Sequence, residues 1–135
     1  MNLKIKLIYP KWPKLEKQTE FHLPPHGPVC FAASVPDDVE ISFYDENVEK
    51  IDFNEKSDLV AMSVMLSCQM PRAWEIADIH RAKGVPVIFG GIGTMLHHEQ
   101  TMAHADSVFL GEAEGRFGQV LDDLKNNGLK RTYDY

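Results

Sequence analysis

A doubly wound α/β fold, with five parallel strands covered by helices on both faces, is what the 135-residue chain predicts. Three observations carry this. Short apolar runs rich in β-branched residues alternate with segments of helical periodicity, the pattern of strands joined by crossover helices. The run Leu59–Leu66 is apolar at both odd and even positions, as a strand covered on both sides must be. Phe117, Val120, Leu121 and Leu124 recur at i, i+3, i+4 and i+7, the stripe of a helix lying on such a sheet. At 44% hydrophobic, a chain of this length builds one core and has no room for two domains.

The first strand is expected over Leu3–Tyr9, stopped by Pro10 and Pro13. A Pro-bounded loop then leads to a short apolar helix over Pro28–Ser34, since proline suits a first helical position. The second strand spans Val39–Tyr44. Glu46–Asp58 shows no clean period, so this crossover is expected to be irregular or a single turn. After the third strand, Leu59–Leu66, Pro71 opens a helix to Lys83, with Ala73, Trp74, Ile76 and Ala77 toward the sheet and Gly84 as its stop. The fourth strand, Val85–Phe89, runs into Gly90-Gly91-Ile92-Gly93, and Thr94 reads as the cap of a helix reaching Ala105. The fifth strand, Ser107–Leu110, ends at Gly111, and the last helix, Arg116–Asn126, closes at Gly128. Right-handed crossovers put the strands in the order 2-1-3-4-5, a flavodoxin-like (Rossmann-like) arrangement whose ligands sit outside the carboxyl ends near strands 1 and 3.

Composition narrows the function. With 14 basic and 20 acidic residues, a net charge of −6 and no Lys/Arg stripe, nucleic acid is not expected as a partner. No apolar run approaches the ~18 residues that span a bilayer, and Met1 to Lys6 is too polar to open a signal peptide, so a cytoplasmic protein is expected. Cys30 and Cys68 stand in apolar surroundings without a CxxC partner, which suggests buried, reduced thiols rather than a zinc or iron–sulfur site. Pro10-Lys11-Trp12-Pro13 follows the first strand in place of a GxGxxG or GxxxxGK phosphate loop. A two-component receiver would keep an Asp where Ser67 and Cys68 stand.

What the strand ends offer is small and apolar: Ser63, Met65, Leu66 and Ser67 after the third strand, Gly90, Gly91 and Gly93 after the fourth, Gly111 after the fifth. Residues without a Cβ let a bulky planar group approach the backbone, and the serine hydroxyls can bond its polar edges. A tight strand-to-helix turn is the alternative account of Gly90–Gly93. Glu114 reads as a partner of the last helix dipole, and Glu112 also as a contact for amide donors. His97 and His104 fall two turns apart on the fourth helix, but His98 points elsewhere and no further ligand completes a tetrahedron, so all three read as solvated residues. His22 and His26 flank the Pro-Pro turn and read as surface residues. Trp12 either stacks on a ligand or covers the sheet.

Several short motifs occur in a fixed order: Leu7-Ile8-Tyr9-Pro10, Leu23-Pro24-Pro25-His26-Gly27, Asp45-Glu46-Asn47, Asp58-Leu59-Val60 with Ser63, Phe89-Gly90-Gly91, and Phe109-Leu110-Gly111-Glu112-Ala113-Glu114-Gly115. In them the chain resembles the cobalamin-binding N-terminal domain of cobalamin-dependent radical S-adenosylmethionine enzymes, a group of methyltransferases and ester cyclases. Ser63-Val64-Met65 lies at the SxL position of methionine-synthase-type cobalamin domains, and Gly90-Gly91 lies at their GG position. Met65 replaces Leu, a volume-conserving change that should still line the slot for the benzimidazole tail. The DxHxxG motif, whose histidine ligates cobalt, is absent. The resemblance therefore implies base-off cobalamin without a histidine ligand. It implies cofactor contacts from Pro10, Gly27, Ser63, Met65, Leu66, Ser67 and Gln69, together with Gly90, Gly91, Ile92, Gly93, Gly111 and Glu112, and neither a catalytic residue nor a protein ligand to metal.

The family's CxxxCxxC, which holds the 4Fe–4S cluster that cleaves S-adenosylmethionine, does not occur in these residues, so a radical S-adenosylmethionine domain in cis or trans is the expected partner. The chain alone is then a cofactor module. Two other readings stand beside it: a cofactor-free interaction or dimerisation domain, and an enzyme of another kind, which has little support because no nucleophile–base pair is apparent at the strand ends. Gly91→Val is expected to abolish cobalamin retention and to leave the fold largely intact.

Overall fold

A computed structural model describes residues 2–14 and 25–135, so His22, Leu23 and Pro24 lie outside the described residues. In chain order the elements are β1 (Lys4–Tyr9), α1 (His26–Ser34), β2 (Glu40–Asp45), β3 (Leu59–Ser63), a 3-10 turn (Ser67–Gln69), α2 (Met70–Ala82), β4 (Val87–Gly90), α3 (Ile92–Leu96), α4 (His98–Thr101), β5 (Ser107–Leu110), α5 (Gly118–Lys125) and β6 (Thr132–Asp134). The strands form one parallel sheet in the order β2-β1-β3-β4-β5-β6. This is the flavodoxin-like α/β fold, with the five expected strands in the expected order and a sixth at the β5 edge.

Strand alternation splits the core into two layers. Ile8, Val60, Met62, Phe89 and Val108 face α2, which answers with Met70, Ala73, Ile76 and Ala77. Ile5, Leu7, Leu59, Ala61, Ile88 and Phe109 face the other way, against Phe31 of α1, Phe117, and Val120 and Leu121 of α5. Two helical layers over a parallel sheet are what a βαβ chain needs to bury both faces.

Boundaries shift for identifiable reasons. α1 starts at His26, two residues earlier than expected, because a proline at the third helical position still lies among the amide groups that have no intrahelical acceptor. β3 stops at Ser63: the Val64 N–H still donates to Gly90 O, but the Met65 and Leu66 N–H groups turn to Gln69 Oε1. β4 begins at Val87, after Pro86, whose nitrogen has no hydrogen to donate. The helix expected from Thr94 to Ala105 is two short pieces that break at His97, with Thr94 inside α3 and its Oγ1 donating to Gly90 O. α5 starts at Gly118, so Glu114 lies outside its first turn and the dipole role expected for it fails. The left-handed residue that closes α5 is Asn127 (φ 52°), not Gly128; asparagine tolerates that region, and the Gly128 N–H donates to Asp123 O.

Candidate functional site

At the carboxyl ends of β3 and β4, the layer facing α1 runs out of large side chains. Lower in the sheet it is filled by Leu59, but the next level holds Ala61 beside Ile88, and the level above that Ser63 and Gly90, which are paired neighbours in register. The result is an open cleft of about 680 Å³ between the sheet, α1 and the loop from Gly111 to Phe117. His26, Gly27 and Cys30 enter it from α1, Ile92 and Met95 from α3, and Glu112 and Glu114 from the loop. One wall is aromatic: Phe31 meets Phe117 edge-on at 4.8 Å, and Phe117 lies 6.0 Å from Phe109. The volume lies within the ~300–1,000 Å³ of ordinary ligand pockets, and a few polar groups set in mostly apolar walls match their usual chemistry.

Of the residues expected at the site, Gly27, Ser63, Gly90, Gly91, Ile92, Gly111 and Glu112 line this cleft. Met65 and Leu66 lie on the rim, 49% and 40% exposed, and do not line it. Ser67 Oγ is 2.9 Å from His97 Nε2 at the surface. A serine–histidine hydrogen bond therefore does exist near the strand ends, contrary to the expectation, but among the described residues no carboxylate orients the imidazole as a hydrolase would require. Gly93 packs under Val64, where an added Cβ would come within 3.2 Å of Val64 Cγ1. Pro10 and Gln69 are linked to each other rather than to the cleft: Gln69 Nε2 donates to Pro10 O at 2.6 Å.

Gln69 is fully buried and joins two segments of backbone, its Oε1 accepting from the Met65 and Leu66 N–H groups that follow β3 while its Nε2 donates to Pro10 O just past β1. A buried amide with both ends satisfied positions the rim. Gln69→Leu would leave two N–H groups and one carbonyl without partners, at ~1–3 kcal/mol for each that stays buried. The expected result is a urea midpoint lowered by about 1 M or more at unchanged slope, measured by circular dichroism.

Gly91 and Gly90 differ sharply. Gly91 sits at φ 98°, ψ 171°, a region essentially closed to other residues, and a Cβ there would lie 2.4 Å from Val64 O. The turn itself demands this glycine, which overturns the expectation that Gly91→Val leaves the fold intact. A Cβ on Gly90 would meet nothing within 4 Å.

Ala61, Cys30, Met95 and Phe117 also line the cleft, although the sequence did not assign them to a site. The one available signal was the i, i+4 spacing of His26 and Cys30, whose Nε2 and Sγ are 3.1 Å apart. Cys68 is exposed rather than buried because it falls in the 3-10 turn on the rim. Trp12 stands edge-on to Tyr9 at 6.1 Å. His104 stacks on Trp74 at 5.3 Å and bonds to Asp78. Among the described residues no three potential ligands could hold a metal ion, and no helix is long and apolar enough to cross a membrane.

On the opposite side of the sheet, Glu46 follows β2 and receives Arg72 through Nε at 3.1 Å and Nη2 at 2.7 Å, with the Lys11 N–H at 3.2 Å. Burial pushes the carboxyl up, but the guanidinium and the amide outweigh it and hold Glu46 below the ordinary value of 4.5. A carboxyl depressed in the folded state stabilises the fold above its unfolded pKa, and that contribution is lost as pH falls through the folded value. The wild-type melting temperature should therefore drop below about pH 4.5, and Glu46→Gln should flatten that part of the profile while lowering the plateau at pH 7.

No family model matches the chain. Over 100 residues, 73% of the chain, it is 36% identical to the bacteriochlorophyllide d C-8(2)-methyltransferase of Chlorobaculum tepidum. The match covers 22% of that relative, so the chain spans roughly a fifth of the length of the protein it resembles.

Proposed function

We propose that the chain is a cobalamin-binding module, the N-terminal part of a radical S-adenosylmethionine enzyme of the methyltransferase or cyclase type, and that it holds base-off cobalamin without a histidine ligand. The observation that carries the reading is the cleft floored by Ala61, Ser63 and Gly90 at the carboxyl ends of β3 and β4, on the end of the sheet where this topology takes ligands and one strand beyond its β1/β3 switch point. Its volume and apolar walls fit the benzimidazole end of the cofactor, with Ser63, His26 and Glu112 as the polar groups available to its edges. Similarity to a methyltransferase supports the same reading. Bound cobalamin would supply a methyl group carried on cobalt. The protein's own part is to bind, to orient and to keep water from the floor of the cleft. S-adenosylmethionine and the 4Fe–4S cluster would belong to the radical S-adenosylmethionine domain working beside it.

A second reading is favoured by Met65, Leu66, Ile92, Met95 and Leu96, all 40–69% exposed and gathered on one side of the rim. Such a patch fits a protein partner. Gel filtration with hydroxocobalamin separates the two. Coelution of the corrin absorbance with monomeric chain supports the cofactor module, whereas a cofactor-free dimer supports the interaction domain.

A further inference from the structure

We propose that Lys6 and His80 form an acid-sensitive latch that holds the crossover between β2 and β3 against the sheet and lets it go when His80 takes up a proton. Lys6 lies in β1 on the α2 face and has no exposed surface. A buried ammonium needs acceptors for its three protons. It finds the Asp52 carbonyl at 2.6 Å, His80 Nε2 at 3.2 Å and the ring of Tyr44 at 5.9 Å. None of these is a carboxylate.

The imidazole is fixed in one tautomer by its other contact. His80 is 1% exposed, and its Nδ1 lies 2.9 Å from Ile76 O, an acceptor only, so Nδ1 carries the hydrogen and Nε2 is the lone pair that receives Lys6. A second proton on the ring would lie on Nε2, facing the ammonium. The Lys6–His80 hydrogen bond would be lost and two cations would face each other in a buried site.

The crossover depends on this pair because it has no helix or strand of its own between Asp45 and Leu59. Asp52 is held by Lys6. Phe53 packs on the His80 ring at 5.3 Å, and its carbonyl receives Lys83 Nζ at 2.7 Å. The other charges facing the pair come from three elements. Lys83, just past the end of α2, opposes charge on both groups; Lys4 on β1 opposes charge on Lys6; Asp52 and Glu55 in the crossover favour the ammonium. Glu55 is itself held by Tyr44 Oη and Ser42 Oγ.

Burial, then Lys6 and Lys83, hold His80 below its ordinary value of 6.5, although the Ile76 carbonyl opposes them. A base depressed in the folded state is neutral at pH 7, and its stabilising contribution falls away as pH drops below the unfolded value. The latch is therefore closed at neutral pH and weakens below about pH 6.5. Loosening would reach the strand ends, because the crossover begins at Glu46, the residue that holds Arg72 and the Lys11 N–H.

The test is amide hydrogen exchange on the 135-residue chain between pH 7.5 and 5.0, with each rate corrected for its intrinsic pH dependence. Protection of residues 46–58 should fall at least about tenfold over that range while β3 and β4 keep theirs. In His80→Gln, whose amide oxygen can accept from Lys6 but not take up a proton, the crossover should stay protected throughout. Lys6→Met removes the second cation and so lets His80 titrate closer to its ordinary value in the folded chain; its loss of protection should be smaller and level off at higher pH. A wild-type crossover that tracks the rest of the sheet at every pH would overturn the proposal. So would a full-sized loss in either variant that folds.

Discussion

Replacing Gly91 with valine is expected to lower the melting temperature of the chain by about 5–15 °C, with or without ligand. Two costs combine. The φ 98°, ψ 171° conformation costs any residue with a Cβ about 1–3 kcal/mol. The Cβ would also stand 2.4 Å from Val64 O, a backbone atom fixed by the hydrogen bond it accepts from Gly93. Relief would require moving the end of β3 or the start of α3, and both lie beside the cleft. Calorimetry on the free chain is the direct measurement, with Gly91→Ala as the milder variant, ranked between wild type and valine. An unchanged melting temperature for valine would show that the turn relaxes more readily than this geometry allows.

Gly90→Val should do the reverse: leave the unliganded melting temperature within a degree or two of wild type and weaken hydroxocobalamin retention about tenfold to a hundredfold. Gly90 is a strand residue with open space where its side chain would be, and valine suits a strand. The added methyl groups would stand beside Ser63, its neighbour in register, and fill part of the cleft floor. Equilibrium titration followed by corrin absorbance, paired with calorimetry, reads both quantities. A variant that folds normally and binds as wild type does would remove the cofactor from this cleft. The contrast between adjacent glycines separates a fold requirement from a ligand requirement, which Gly91→Val alone could not do.

The sheet was legible because parallel strands covered on both faces leave continuous apolar runs, and Leu59–Ser63 is as clear a run as the chain contains. β6 was not, since it is three residues long with a single buried side chain, Tyr133, too short to show alternation. The broken fourth helix was hidden for a different reason. Its sequence is compatible with one helix, and the interruption is tertiary, at the histidine that reaches across to Ser67. The cleft was half legible. Ser63, Gly90 and Gly111 were found because small residues after strands are a recognised signal, whereas Ala61 and Phe117 belong to the site only through strand register and loop packing. The roles of Gly90 and Gly91 could not be told apart in sequence, because the sign of φ is not written in it. The rim-shaping bonds of the Gln69 amide to the Met65 and Leu66 N–H groups and to Pro10 O were not legible either, because they depend on a turn that only the folded chain shows.

The cleft has unequal walls. On one side Phe31, Phe109 and Phe117 interlock, with Tyr133 stacked behind Phe109 at 6.2 Å. That wall is stiff, because rings packed in this way move only by displacing one another. On the other side stands α3, five residues long, with Ile92 and Leu96 more than 60% exposed and a break at His97 just beyond. Gly93 and Thr94 anchor this turn and a half, but its cleft-side residues are exposed side chains that change rotamer at lower cost than a packed aromatic layer shifts. Compliance in this molecule is therefore one-sided. A guest of slightly different girth would be met by rearrangement of the exposed Ile92 and Met95 side chains, while the aromatic side acts as a fixed anvil that sets the plane in which any ring against it must lie.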